Sequence, residues 1–178
     1  MNWNDQIQTQ KGNLGEDIID KYLKSIGLIP YFPQVDGAHP FDRLCATKNK
    51  KYLCIVDSKA KARRSFYPDT GINLKTFNEY LYMQEKYNID VWIFFVDEDM
   101  KSIYGNKLHD LMQPHQIYWK RKELLYPLRQ RNGKGTEEIY FPLSAMKNIH
   151  ELTEPEVQEL KEFSSRNYQY FTEVGANA

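Results

Sequence analysis

The run Tyr52-Leu53-Cys54-Ile55-Val56 is apolar at every position and then breaks into Asp57-Ser58-Lys59. A strand with one wet face alternates, so an unbroken apolar run of this length predicts a central strand covered on both sides. The stretch 90–97 (Asp-Val-Trp-Ile-Phe-Phe-Val-Asp) carries the same signature. Two such strands need helices on either face, which predicts an α/β fold. Helical spacing supplies the first helix over 4–26, where Ile7, Leu14, Ile18, Tyr22 and Ile26 recur on one stripe. Gly12 and Gly15 weaken that helix by ~1 kcal/mol each relative to alanine, and Gly27 is a sensible stop. A second helix is predicted over 74–88, with Leu74, Phe77 and Leu81 on its apolar stripe.

Between these pieces, 28–35 reads as an edge or irregular strand because it holds Pro30 and Pro33. Residues 40–47 and 51–58 read as a hairpin about Lys48-Asn49-Lys50-Lys51. The segment 62–73, with Pro68, Asp69, Gly71 and Asn73, reads as a loop. Further on, β-like pieces surround Ile117-Tyr118-Trp119 and Ile139-Tyr140-Phe141, with turn signals at Asn132-Gly133 and Gly135. Thr153-Glu154-Pro155-Glu156 is a capping-box pattern that predicts a last helix over about 154–168. The expected fold class is a mixed β-sheet flanked by helices. One domain over 1–178 is expected, with a core in 1–100 and residues 101–178 as a C-terminal β/α extension packed on or beside it.

Net charge is zero, with 24 basic and 24 acidic residues, so no long-range field attracts a polyanion. The charge is nevertheless segregated. Lys48, Lys50, Lys51, Lys59, Lys61, Arg63 and Arg64 cluster around the single acid Asp57, and a second basic run covers Lys120, Arg121, Lys122, Arg129, Arg131 and Lys134. The final stretch is acidic, with Glu151, Glu154, Glu156, Glu159 and Glu162. The N-terminus lacks the basic and apolar regions of a signal peptide. No apolar run approaches the ~18 residues of a membrane span. A cytoplasmic location without a membrane partner is therefore the expectation. Cys45 and Cys54 are expected as buried thiols there. The four histidines show no metal-ligand spacing, and His39 is read as a loop residue near the site.

A hairpin turn centred on Asn49-Lys50 pairs residues whose numbers sum to 99, so Cys45 faces Cys54 and Asp42 faces Asp57. Directly opposed residues have Cβ atoms ~5 Å apart. Two carboxylates so placed, at the end of an apolar strand pair, repel each other and lose solvation unless a cation lies between them. Oxygen ligands of this kind suit Mg²⁺. Lys59, two residues beyond Asp57, falls on the same face and can hold a phosphate or the attacking water. A bound metal would lower the pKa of that water and neutralise the transition state. Lys61, Arg63 and Arg64 follow, able to position a phosphate backbone.

This arrangement resembles the PD-(D/E)XK nuclease superfamily. The matching residues are Glu16 in the first helix, Asp42 in His39-Pro40-Phe41-Asp42, and Asp57-Ser58-Lys59. The order α-β-β-β-α-β over roughly 10–97 is similar to restriction-endonuclease-like domains and archaeal Holliday-junction resolvases. Two departures are tolerated variants: Pro40 stands one place early, and the acid of the triad is aspartate. The resemblance implies that Asp42 and Asp57 bind Mg²⁺ (Mn²⁺ can substitute) with the Ser58 backbone carbonyl. It implies that Lys59 orients or activates the attacking water and that Glu16 supports the metal directly or through water. Gln84 stands where some members carry a glutamine. The expected activity is hydrolysis of DNA phosphodiester bonds by an endonuclease, with DNA as partner and homodimers a known habit of the superfamily.

Each residue also has a plainer reading. Asp42 and Asp57 could be surface ion pairs, worth ~0–1 kcal/mol. Glu16 fits a capping box with Asn13 if the helix begins at Leu14. Gln84 could be an ordinary helix residue, and Lys61, Arg63 and Arg64 could be merely solvated. At the level of the whole chain, the alternatives are a catalytically silent module that binds nucleic acid or a protein partner, and an assembly protein that docks through its acidic last helix.

Overall fold

The computed structural model describes residues 7–32, 41–131, 133 and 135–164. A mixed six-stranded sheet forms its centre. Its strands, in spatial order, are β1 (Leu28–Tyr31), β2 (Arg43–Thr47), β3 (Leu53–Lys59), β5 (Asp90–Asp97), β6 (Ser102–Lys107) and β11 (Lys147–Glu151). Only the β3–β5 pair is parallel; the others are antiparallel. Helix α1 (Ile7–Ser25) with α4 (Glu154–Glu162) covers one face, and α2 (Leu74–Tyr87) with the short α3 (Leu108–Leu111) covers the other. This is the mixed sheet flanked by helices expected from the sequence. The α-β-β-β-α-β order is present, with one extra strand, β4 (Asp69–Asn73), between β3 and α2.

The two faces follow from strand alternation. On β3, Cys54 and Val56 join Ile18, Ile19 and Leu23 of α1, together with Val157 and Leu160 of α4. Ile55 points the other way, into a cluster with Phe77, Tyr80 and Met83 of α2. Strand β5 splits likewise, with Phe94 and Val96 on the α1 face and Val91, Ile93 and Phe95 on the α2 face. Each face therefore holds its own apolar cluster, as two runs without polar alternation require. No described helix is long and apolar enough to cross a membrane.

Several expectations shift. The stretch 69–73 is a strand, not a loop: β4 pairs with β10 (Glu137–Pro142), which also pairs with β9 (Leu128–Arg131). Turn-forming residues misled there. Gly71 is needed because Tyr140 and the Ile139 carbonyl press on the space a Cβ would fill. Strands β6 and β11, from the stretch read as a C-terminal extension, lie within the central sheet itself. Gly105 on β6 lies opposite Phe94, whose ring occupies the place of its missing side chain. A separate hairpin, β7 (His115–Trp119) with β8 (Lys122–Tyr126), stands apart as a two-stranded sheet. The capping box at Thr153 and Glu156 starts α4 as expected. The tail of the predicted last helix beyond 164, the first residues of the first helix, Lys134, and the segment 33–40 with His39 and Pro40 lie outside the described residues.

Candidate active site

The site lies where β3 emerges from the sheet. The β2–β3 register pairs Arg43 with Val56, Leu44 with Ile55 and Cys45 with Cys54, as the turn position requires. Asp42 stands one residue before the first of these pairs, abreast of Asp57. Both cysteines are buried free thiols. Asp57 is fully buried. Its Oδ1 accepts from Lys59 Nζ at 2.6 Å and from the Tyr80 hydroxyl. Its Oδ2 has no hydrogen-bond partner among the described residues. Burial pushes the Asp57 carboxyl up to about 7; Lys59 opposes this rise, Asp42 adds to it, and the Tyr80 hydrogen bond opposes it.

Asp42 is held from the strand opposite: its Oδ2 accepts from the Ser58 backbone N–H at 2.9 Å and lies 3.3 Å from Ser58 Oγ. The Lys59 ammonium, 3.9 Å from Asp42 Oδ2, thus stands between the two carboxylates. Burial alone would lower the Lys59 pKa, but the charges of Asp57 and Asp42 outweigh it and the net shift is upward.

Glu16 reaches this end of the sheet from the α1 layer. It is a mid-helix residue, because α1 starts at Ile7, so the capping-box reading with Asn13 does not apply. Burial and Asp42 raise its pKa, while Arg43 and Lys59 oppose the rise. Gly15 makes the approach possible: a Cβ there would lie 2.7 Å from Ala60 Cβ, closer than packed carbons allow. Arg43, a residue the sequence did not single out, ties the layers together. Its guanidinium donates to Asp20 Oδ1 at 2.9 Å, to Glu16 Oε2 at 3.0 Å and to the Asp42 backbone carbonyl at 2.8 Å. Its only signal was a lone arginine next to Asp42 at a position facing the α1 core.

Tyr80 was also missed. In the sequence it is one more aromatic on the apolar side of α2, three residues after Phe77. Gln84 does not join the carboxylates. One turn further along α2, it lines a different cleft with Tyr52, Leu53, Asp90 and His109.

The basic residues beyond Lys59 have internal partners. Arg64 donates to Asp69 Oδ1 at 2.6 Å and to Oδ2 at 2.5 Å, and its plane lies 3.7 Å from the Tyr140 ring centre. Arg64, expected as a phosphate contact, is thus paired with a buried carboxylate. Lys61 donates to the Gly71 carbonyl at 3.2 Å and lies 3.4 Å from Glu138. Arg63 is exposed, and its backbone N–H donates to Asp97.

Among the described residues, no three His, Cys, Asp or Glu side chains converge as a metal-ligand group. Glu16 is instead drawn towards Arg43. Two carboxylates, a backbone carbonyl and water still match what Mg²⁺ takes, since it keeps several waters and commonly uses one or two carboxylates. The unpartnered, fully buried Asp57 Oδ2 fits a cation, because an unsatisfied charged oxygen in the interior is costly.

No family model matches the sequence, and no curated protein matches it. Among solved structures, the chain is similar to a Holliday junction resolvase, Hjc, from the archaeal hyperthermophile Archaeoglobus fulgidus. Identity is 9%, the TM-score is 0.49, and the match covers 75% of this chain and 90% of that one. It is also similar to D212, a nuclease from a fusselovirus, at 12% identity and a TM-score of 0.42, covering 88% of this chain and 89% of that one.

Proposed function

We propose that the chain is a metal-dependent nuclease that hydrolyses DNA phosphodiester bonds as an endonuclease. The observation that carries this reading is the fully buried Asp57 carboxylate, one oxygen unpartnered, set beside Asp42 with the Lys59 ammonium between them. Asp42, Asp57 and the Ser58 backbone carbonyl would hold Mg²⁺ or Mn²⁺. When bound, the ion supplies an acidified water and charge neutralisation at the phosphorus.

The protein's own residues do the positioning. The Ser58 N–H and hydroxyl fix the Asp42 carboxylate. Tyr80 fixes Asp57 and leaves Oδ2 for the ion. Lys59, its pKa raised, remains an ammonium, so its role is to orient the water or a phosphate oxygen by charge rather than to take a proton. Glu16, anchored by Arg43, supports the site through water. DNA as substrate follows from the resemblance of Asp42 and Asp57-Ser58-Lys59 to a superfamily that acts on it. A cytoplasmic setting suits the free buried thiols. Light scattering decides whether the superfamily's habit of dimerising extends here.

Supercoiled plasmid tests the reading. Nicking and linearisation are expected with Mg²⁺ or Mn²⁺, and loss of both with EDTA or in Asp57→Ala and Lys59→Ala. If all four conditions behave alike, the assignment is wrong. Salt-dependent DNA binding without cleavage, and no calorimetric Mg²⁺ signal, would establish the silent binding module instead.

A further inference from the structure

Beyond Lys59 the chain runs seven residues to Phe66, a span of at most ~25 Å. There it meets the β7–β8 hairpin. Phe66, Tyr67, Trp119, Lys120 and Lys122 line a cleft of about 340 Å³. That is the small end of the range for ligand sites, ~300–1,000 Å³. Its lining is three aromatic rings and two lysines, without a carboxylate. Phe66 is 74% exposed, so its ring is open to a ligand at this cleft. Tyr118, on the outer face of the hairpin, is 75% exposed. Among the paired residues of the hairpin the one acid is Glu123, opposite Tyr118 and outside the cleft.

Hydrogen bonds and a cation–π contact brace the cleft. Trp119 Nε1–H donates to the Phe66 carbonyl at 2.8 Å, fastening the hairpin to the loop. Tyr67 stacks on Arg64, 4.5 Å from ring centre to guanidinium. Arg64 is paired with Asp69, and Asp69 also accepts from the Tyr126 hydroxyl of β8 at 2.7 Å. One buried carboxylate therefore links the loop leaving the active-site strand to the hairpin. The hairpin tip adds charge at a conformational cost: Lys120 and Arg121 have φ of 45° and 64°. Two-residue turns of this shape favour Asn-Gly, so a lysine and an arginine there sit against backbone preference.

Flat rings beside exposed cations form a surface that stacks nucleobases and attracts phosphates. We propose that this cleft binds an unpaired base of a DNA strand, so that the substrate is DNA with single-stranded or splayed nucleotides near the cleaved bond. In a continuous duplex the bases are stacked inside and cannot enter. The proposal rests on the nuclease reading for its meaning, but its test does not need cleavage.

Wild-type protein in EDTA is titrated into fluorescein-labelled oligo(dT) and into a blunt duplex, with anisotropy as readout. Phe66→Ala and Trp119→Ala should each weaken single-strand binding about tenfold, the scale of losing one stacked base, and duplex binding by less than about twofold. Trp119→Phe keeps a ring and should stay within about twofold of wild type, which separates stacking from loss of the hairpin fastening. Equal losses on both substrates, no loss on either, or no binding of any oligonucleotide by wild type overturns the proposal. So does a tenfold loss confined to an oligo(rU) arm, which would make the cleft an RNA site. Failure of plasmid cleavage with these binding results intact would remove the nuclease reading alone.

Discussion

Asp57 is where sequence and energetics meet most sharply. An unfolded aspartate titrates near ~3.9, whereas burial pushes the folded group up to about 7. Between those values the native state holds a proton that the unfolded chain has released, so stability falls as pH rises. The metal-free protein should lose stability from pH ~4 to ~7 relative to Asp57→Asn, with a flat difference on either side, read from urea midpoints across that range. A divalent ion must displace the same proton. Apparent Mg²⁺ affinity should therefore climb up to about tenfold per pH unit below 7 and level off above it, by calorimetry. A pH-independent affinity would remove Asp57 from the ligand set. Tyr80 belongs to this argument because its hydroxyl stabilises the ionised carboxylate. Tyr80→Phe should move the acidic limb of the kcat/KM profile to higher pH and leave activity at pH 9 largely recovered. The carboxylates and Lys59 were legible because a register and a strand period place them. Tyr80 and Arg43 were not, because their roles depend on which helix face meets which strand end, and periodicity along one element does not contain that.

At the scale of elements, the register was readable for a physical reason: slipping it by one residue would move every side chain of β3 to the other face. The helices and buried strands were readable from their apolar stripes. Strand β4 was not, since its Pro68-Asp69-Thr70-Gly71 lead-in has turn composition, and the pairing with β10 that holds it extended is made far along the chain. Strand β6 was hidden for a similar reason, its Gly105 making room for Phe94. Glycine in α1 also looked like a defect, yet Gly15 sets the contact of helix with strand. Gly15→Ala gains ~1 kcal/mol of helix propensity but places a Cβ 2.7 Å from Ala60 Cβ. Over-packing costs ~1–3 kcal/mol, so a net loss of about 1 kcal/mol is expected in urea unfolding. Activity should fall further than stability, because Glu16 and Lys59 adjoin the contact. Gly15→Ala combined with Ala60→Gly should restore both. If the single variant is more stable and fully active, close packing does not position Glu16.

For the whole molecule, zero net charge conceals a division between cations that hold the structure together and cations that face solvent. Arg64 belongs to the first kind: it is joined to an Asp69 side chain with no solvent exposure, which Tyr126 also holds. Lys120, Arg121 and Lys122 belong to the second, all exposed at the hairpin tip. Sequence proximity to Lys59 placed Arg64 among the phosphate contacts; its partner Asp69 stands only five residues on, at the start of a strand whose turn-like composition hid the pairing. The two kinds separate experimentally. Removing a partner of a buried ion pair costs roughly 3 kcal/mol, so Arg64→Ala should destabilise the protein by about that amount. Its charge is already neutralised, and the slope of log affinity against log salt for single-stranded DNA should not change. Lys120→Ala with Arg121→Ala should leave stability within about 0.5 kcal/mol. That double variant should flatten the salt slope by roughly 0.7 for each phosphate that the hairpin no longer neutralises. A flattened slope in Arg64→Ala, or an unchanged one in the hairpin variant, would mean that the strand follows the core loop rather than the hairpin, and would relocate the path of DNA across the molecule.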